Sequence, residues 1–332
     1  MHLVKPTEKD IPTNLLKILK TRKIGVVVPC HNEQSNVAIV ISTLPNYIDA
    51  IVIVDDLSTD DTVKKVEELR KDDKRIVLIK HKENQGVGGS IATGYEWCRD
   101  NDMDAAVVMA GDAQMDPGEL PILLDPVLTD GVNYSKGNRL VYQQARRIIP
   151  SVRFFGNSVL SLLTKLASGY WHISDSQCGY TVVDKKILHR VDWQKMYKRY
   201  GQPNDLLITL NLQEFKVRDV AVRPIYNVGE VSGIKIRRVI FTISSILIRR
   251  GLERLWLKYV VYDFHPLILF FLFGMLMAIL CLAFLFSTIV GWIQYGYAPT
   301  LSTLAFLFSA SFSLNSLFFS MWMDMEKNKN LK

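Results

Sequence analysis

Between Pro266 and Met323 there is no Asp, Glu, Lys or Arg, and no other feature limits so sharply what this chain can fold into. The region holds two apolar stretches, 266–290 and 299–323, each above the ~20 residues that a helix needs to cross a hydrocarbon core. The intervening "GWIQYGYA" contributes Trp292, Tyr295 and Tyr297, rings that favour the boundary between lipid and water. Soluble core helices of such length rarely lack a charged face, so 265–324 reads as a membrane hairpin and not as a buried helical pair. Its flanks set an orientation. Lys235, Arg237, Arg238, Arg249, Arg250, Arg254 and Lys258 precede it, Lys327, Lys329 and Lys332 follow it, and the connecting turn is uncharged. The positive-inside rule then puts the large N-terminal part and the tail 325–332 on the cytoplasmic side.

The formal charge of +7 is concentrated just before the hairpin. There Ile236, Val239, Ile240, Ile243, Ile246 and Leu247 recur at three- and four-residue steps among the basic residues. That pattern predicts an amphipathic helix lying on an anionic membrane surface within 231–264. Beside a membrane anchor it argues against a nucleic-acid face. Cys30, Cys98, Cys178 and Cys281 form no CxxC pair, which fits neither a disulfide frame nor a zinc site. The opening residues 1–22 lack the apolar core of a secretory signal and read as an N-terminal extension.

The segment 23–230 alternates apolar runs with amphipathic ones. "IGVVVP", "AIVIVD", "RIVLIK" and "AAVVMA" are strand candidates, each followed by a helical pattern such as "STDDTVKKVEELRKD". Repeated strand–helix units with continuously apolar strands predict an α/β fold with a parallel-rich sheet and helices on both faces. In such a fold the loops at the carboxyl ends of the strands carry the site. Those loops read "PCHNE", "DDLSTD", "HKENQGVGGS" and "GDAQMDP". Each alone is weak, since Asp55 and Ser58 suit a helix cap and Asn84 with Gly86 suits a turn. Together they place four polar loops on one edge, a pocket of nucleotide type. No GxGxxG opens the first helix, and GxxxxGK[ST] is missing, so neither a dinucleotide fingerprint nor a P-loop is present.

These stretches resemble family 2 glycosyltransferases of the GT-A fold, in the branch that holds dolichyl-phosphate mannose synthases and bacterial polyprenyl-phosphate glycosyltransferases. "VVVPCHNE", "IVIVDDLSTDDT", "NQGVGGSIATGY" and "VVMAGDAQMDP" carry the donor-side likeness, and "KGNRL", "SDSQCGY" and "YNVGEVSGIK" the acceptor side. The resemblance runs from about Lys23 onward and includes the basic helix and the two spans. It departs at one place. The family commonly has Asp-x-Asp before a Gln, and here the first Asp position is Ala110, with Asp112 and Gln114 in place.

The resemblance implies a divalent cation, Mg²⁺ or Mn²⁺, held by Asp112 and Gln114 against a nucleotide diphosphate sugar. Mg²⁺ uses few protein carboxylates and fills its shell with phosphate and water, so the loss at Ala110 weakens the metal only without nucleotide. It places Asp56 on the base, and Pro29, Glu33, Asp55, Ser58, Asn84 and Gly86 around the nucleotide sugar. Arg139, Arg153 and Lys235 match positions that grip an acceptor phosphate, with Asp112, Arg139 and Arg153 as the catalytic set. The expected activity is inverting transfer of a sugar to a polyprenyl (dolichyl or undecaprenyl) phosphate at the cytoplasmic face, UDP being preferred over GDP. The competing readings are a diacylglycerol or lipid-linked sugar acceptor, or a catalytically silent membrane scaffold. Sugar, lipid chain and oligomeric state are not legible.

Overall fold

The computed structural model describes residues 11–143, 145–225 and 236–332; the side chains of Arg146, Val152, Arg153 and residues 236–240 are outside that description. The chain divides into two units, Met1–Arg250 with Leu331–Lys332, and Gly251–Asn330.

The first unit is built on seven strands. They are β1 (Ile24–Cys30), β2 (Ala50–Asp55), β3 (Ile76–Lys80), β4 (Ala105–Val108), β5 (Tyr134–Asn138), β6 (Thr181–Asp184) and β7 (Val217–Ala221), in the order β3-β2-β1-β4-β6-β5-β7. β1 pairs in parallel with both β2 and β4, whereas β6 runs antiparallel between β4 and β5. The sheet is therefore mixed, parallel through the strands whose apolar runs are legible. β6 is the strand that breaks the parallel pattern. In β5, "YSKGN" is buried yet polar, and its partners, not its hydropathy, make it a strand.

Alternation along the strands feeds two cores. Val26, Val28, Ile51 and Ile53 face one layer, with α1 (Thr13–Leu19), α2 (Val37–Thr43), α3 (Thr62–Asp72) and α5 (Leu120–Leu128) packed on it. Val27, Val52 and Val54 face the other, under α4 (Val87–Asp100), α8 (Lys185–Arg190) and α9 (Gln202–Leu212). This period-two division is what a strand covered on both faces requires. The extension at 1–22 contributes α1, whose Leu15 and Leu19 are buried in the first core. Leu331, expected in a tail, packs on the second core, and its carbonyl accepts the Val217 N–H at 3.0 Å.

Between the strands of the second half lie α6 (Ala145–Ile148) and α7 (Ser151–Ser168). α7 shares a small core with α9 and with α10 (Ile236–Trp256), through Leu160, Ala167, Ile208, Ile243 and Leu247. α10 lies within the segment 231–264 read as amphipathic from the sequence, and its last turn passes into a π-helical turn at Leu257–Tyr262.

The second unit contains α11 (Leu267–Tyr295) and α12 (Thr300–Lys327), both long and apolar enough to cross a membrane. Most of their apolar side chains are exposed, Ile293 at 80% and Leu301 at 83%, unlike the core helices of a soluble domain. Small residues line the contact between them: Ser309, Ser313, Ser316 and Ser320 are buried, and the Ser313 hydroxyl donates to the Gly274 carbonyl at 2.9 Å. A hairpin in lipid gains its packing from such close backbone approach. Within the same unit Asp324 accepts from Arg254 at 2.9 Å and from the Tyr259 hydroxyl at 2.5 Å.

Candidate active site

The order β3-β2-β1-β4 creates a switch point between β1 and β4, because the connections β1→β2→β3 run to one side of β1 and the β3→β4 connection crosses back to its other side. Crevices beyond the carboxyl ends of strands at such a point are where α/β folds bind ligands. The loops after β1 and β2 are clasped there. The Asn32 N–H donates to Ser58 Oγ at 2.9 Å, the Thr59 N–H to Asn32 Oδ1 at 2.8 Å, and the Glu33 N–H to Thr62 Oγ1 at 2.8 Å. Asn32, Leu57 and Ala113 all take the left-handed conformation, at φ 60°, 61° and 60°. Such backbone costs a non-glycine residue about 1–3 kcal/mol and persists where surrounding contacts impose it, often at a site.

The two adjacent aspartates of the second loop have different surroundings. Asp56 is saturated by the third loop: its Oδ1 accepts from the Gln85 N–H and sits 2.8 Å from His81 Nδ1, and its Oδ2 accepts from the Gly86 N–H at 2.7 Å. The Asn84 amide donates to the Asp56 carbonyl at 3.2 Å. Asp55 is buried, and its Oδ2 accepts from the Ser58 N–H at 3.2 Å, whereas its Oδ1 has no partner. A buried, unpartnered carboxylate oxygen is costly. It is the acceptor that a ligand N–H or hydroxyl entering this loop would satisfy. Asn84 and Gly86 thus serve the turn into α4, with Gly86 at φ 82°.

The fourth loop continues β4 past its last paired residue, as the Gly111 N–H reaches the Pro29 carbonyl at 3.4 Å. A Cβ on Gly111 would stand 3.3 Å from Cγ of Glu33, so Glu33 lies against the backbone that carries Asp112. Asp112 Oδ1 accepts from the Gln114 N–H at 3.0 Å, which folds the two oxygen-bearing residues into one tight turn. Among the described residues no group of three His, Cys, Asp or Glu side chains is placed to hold a metal. Two protein oxygens suit a hard cation that takes its other ligands from phosphates.

Burial first, and then the Asp112 charge, push the Glu33 carboxyl up to about 7 from 4.5. A carboxyl raised in the folded state is stabilising while protonated, so that contribution is full below about 4.5 and is lost as pH rises through about 7. The metal-free protein is therefore expected to lose thermal stability across this interval, and Glu33→Gln to flatten the loss. Melting in chelator from pH 4 to 8 checks it; parallel curves for the two proteins would remove Glu33 from the cause. Glu119 is pushed up to about 7 by burial as well, so the readout is the difference between wild type and variant.

On the acceptor side Arg139 has a buried partner within the protein. Its Nε and Nη2 donate to the two oxygens of Asp175, at 2.7 and 2.9 Å, and its N–H donates to the same carboxylate at 2.9 Å. Burial pushes the Asp175 carboxyl up, but the Arg139 guanidinium outweighs it and holds the group below its ordinary value. Lys136, fully buried in β5, donates to the Asp175 carbonyl at 2.6 Å and to the Ser174 carbonyl at 2.9 Å. "KGNR" and "SDSQ" are thus joined by a buried charged network. Sequence reasoning met Asp175 only inside "SDSQCGY" and gave it no role of its own; the lysine inside a strand was the second signal. Arg153 lies in α7 with its side chain outside the described residues, as is all of Lys235. Tyr180 is buried, with its hydroxyl donating to the Asp116 carbonyl at 2.9 Å, and Gln177 donates to Ser176 and Asn204. Both pack the loop.

Residues 25–192 match the model of glycosyl transferase family 2. Among curated relatives, a UDP-N-acetylglucosamine–dolichyl-phosphate N-acetylglucosaminyltransferase of Methanococcus voltae is 30% identical over 216 residues, 61% of this chain and 86% of the relative. An undecaprenyl-phosphate mannosyltransferase of Micrococcus luteus is 24% identical over 187 residues, 55% of this chain and 76% of that protein. Among solved structures, glucosyl-3-phosphoglycerate synthase from Mycobacterium tuberculosis, in complex with Mn²⁺, UDP-glucose and phosphoglyceric acid, aligns at TM-score 0.52 and 20% identity. It covers 72% of this chain and 82% of its own. That likeness shows the fold.

Proposed function

The chain belongs to glycosyl transferase family 2, and from that premise we propose that it moves a sugar, with inversion, from a nucleotide diphosphate sugar to a polyprenyl phosphate at the cytoplasmic membrane face. The observation that carries the donor side is the unpartnered Oδ1 of buried Asp55 at the switch point, flanked by the turn bearing Asp112 and Gln114. Asp55 reads the base or ribose, while Asp56 ties the third loop beneath it. The dolichyl-phosphate relative uses a UDP-sugar, which supports UDP over GDP.

Asp112 and Gln114 would hold Mg²⁺ or Mn²⁺ against the diphosphate, where the cation would neutralise charge developing on the leaving group. The chain's own part is to hold the donor and aim the acceptor. A phosphate monoester is already ionised near neutral pH, its second pKa being ~6, so no strong protein base is needed. This distinguishes it from a diacylglycerol or lipid-linked sugar acceptor, whose hydroxyl must lose a proton. The commitment of both Asp205 oxygens, to Arg250 and to the Tyr197 N–H, favours the phosphate acceptor.

Arg153 and Lys235 are the other cations expected for that phosphate. α7 carries Arg153 in its first turn and exposed Phe155, Val159, Leu162 and Leu166 after it, a basic start and an apolar run that suit a lipid phosphate. Arg153→Ala is expected to cost about 1.5–3 kcal/mol, roughly ten- to a hundredfold in acceptor efficiency, with nucleotide affinity unchanged. Acceptor kinetics beside nucleotide titration check this; weaker nucleotide binding with normal acceptor kinetics would move Arg153 to the donor. The activity itself is tested by incubating membranes with UDP- and GDP-sugars and polyprenyl phosphate, then weighing the lipid product. Tight nucleotide binding with no lipid-linked product would leave the silent scaffold as the reading.

A further inference from the structure

Asp205 stands in the first turn of α9, and its surroundings point to a positioning role. It is buried, with Oδ1 accepting from Arg250 Nε at 2.7 Å and Oδ2 from the Tyr197 N–H at 3.0 Å. Arg250, from α10, also donates through Nη2 to Thr209 Oγ1 at 3.0 Å, so its fork spans one turn of α9. The carboxylate is thereby held against the segment Tyr197–Lys198.

That segment meets the start of α4 backbone to backbone. The Lys198 carbonyl accepts from the Gly89 N–H at 3.0 Å, and Lys198 Nζ donates to Gln85 Oε1 at 3.2 Å. The approach is closer than a side chain permits. A Cβ on Gly88 would stand 2.4 Å from the Tyr197 carbonyl oxygen. This explains why the third loop reads "GVGG". The same turn gives the Gln85 and Gly86 N–H groups to Asp56, next to the open Oδ1 of Asp55. One continuous set of contacts runs from Arg250 through Asp205, Tyr197 and Lys198 to Gly86–Gly89, and on to Asp56.

We infer that Asp205 and Arg250 are positioning residues for the donor: their ion pair presses the Tyr197–Lys198 backbone onto the start of α4 and so sets the Asp55–Asp56 loop. This rests on the reading of that loop as the nucleotide pocket. A polar chain of this kind transmits a change only if its links are stiff. Here the Arg250–Asp205, Asp205–Tyr197 and Gln85/Gly86–Asp56 links are part-buried hydrogen bonds of 2.7–3.0 Å, and Lys198 adds a backbone bond to Gly89 at 3.0 Å.

The test uses the full-length protein in detergent, with Arg250→Ala, Arg250→Lys, Asp205→Asn and, as a packing control on the same helix, Ile208→Val. UDP and GDP titrations, donor and acceptor KM, kcat and Tm are measured for each. Arg250→Ala and Asp205→Asn are expected to raise nucleotide Kd and donor KM by roughly two- to thirtyfold, the range for coupling through such networks. Acceptor KM should hold, and lysine should recover part of the loss, because an ammonium reaches Asp205 but cannot fork to Thr209. Ile208→Val should lower Tm without moving nucleotide Kd. Unchanged nucleotide Kd in a folded Arg250→Ala protein would overturn the inference, as would loss of kcat alone in Asp205→Asn, which would make Asp205 the base. If the wild type binds neither nucleotide, the pocket reading itself falls and takes the inference with it.

Discussion

Arg139→Ala is expected to destabilise the fold by about 3–5 kcal/mol, the usual consequence of leaving one member of a buried ion pair without its partner. The Asp175 side chain is fully buried, and three of its hydrogen bonds come from Arg139, two from the guanidinium and one from the backbone. Alanine keeps the backbone donor and removes the charge. The remaining carboxylate would then have Lys136 as its nearest cation, an ammonium already bonded to the Asp175 and Ser174 carbonyls and paired with Asp219. Against a typical total of 5–15 kcal/mol, that loss is a large share of stability. Lysine should rescue little, because an ammonium cannot reproduce the two-pronged contact. The double variant Arg139→Ala with Asp175→Asn should recover much of the loss, since it leaves no unpaired charge. Chemical denaturation of the three proteins settles the matter. A stable Arg139→Ala protein whose only defect is a raised acceptor KM would return Arg139 to the acceptor phosphate.

Asp112→Asn should lower turnover by at least about a hundredfold, several kcal/mol of charge stabilisation being carried by a cation held at this turn. The fold should survive. Asparagine retains an oxygen for the Gln114 N–H, which now donates to Asp112 Oδ1 at 3.0 Å, and its volume is the same. Melting temperature would therefore separate a local loss of metal from unfolding. Ala110→Asp tests the same geometry in the other direction, because restoring the family's first carboxylate should tighten Mn²⁺ in the absence of nucleotide. A near-normal rate for Asp112→Asn at limiting Mg²⁺ or Mn²⁺ would end the metal assignment.

Much of the donor side was legible because its determinants are local. Apolar runs such as "IGVVVP" and "AIVIVD" announce strands, and the polar residues that follow them must lie at strand ends whatever the topology. α11 and α12 were legible for a similar reason: a charge-free segment has few places to go. The resemblance added the expected ligands of the fourth loop, and within "GDAQ" the Gln114 N–H closes a turn on Asp112. On the acceptor side the same method ran out. "KGNR" contains a lysine and an arginine, which in sequence look like ligands for an anion. In the fold Lys136 and Arg139 are held by the loop at 174–175.

The division has a physical origin. By itself the sequence determined the α/β alternation, the four polar loops, the basic helix and the two apolar helices, because periodicity and solvation act over a few residues. Only the tertiary structure decided which of two neighbouring aspartates keeps an open oxygen. Asp56 is filled by groups up to 30 residues away, and Asp55 Oδ1 is not filled at all. It likewise decided that Arg139 meets Asp175 across 36 residues and that Arg250 meets Asp205 across 45. A charged side chain looks the same in sequence whether it awaits a ligand or already has a partner. Folding chooses between these by bringing distant segments together and removing water, which makes an unpaired charge too costly to keep.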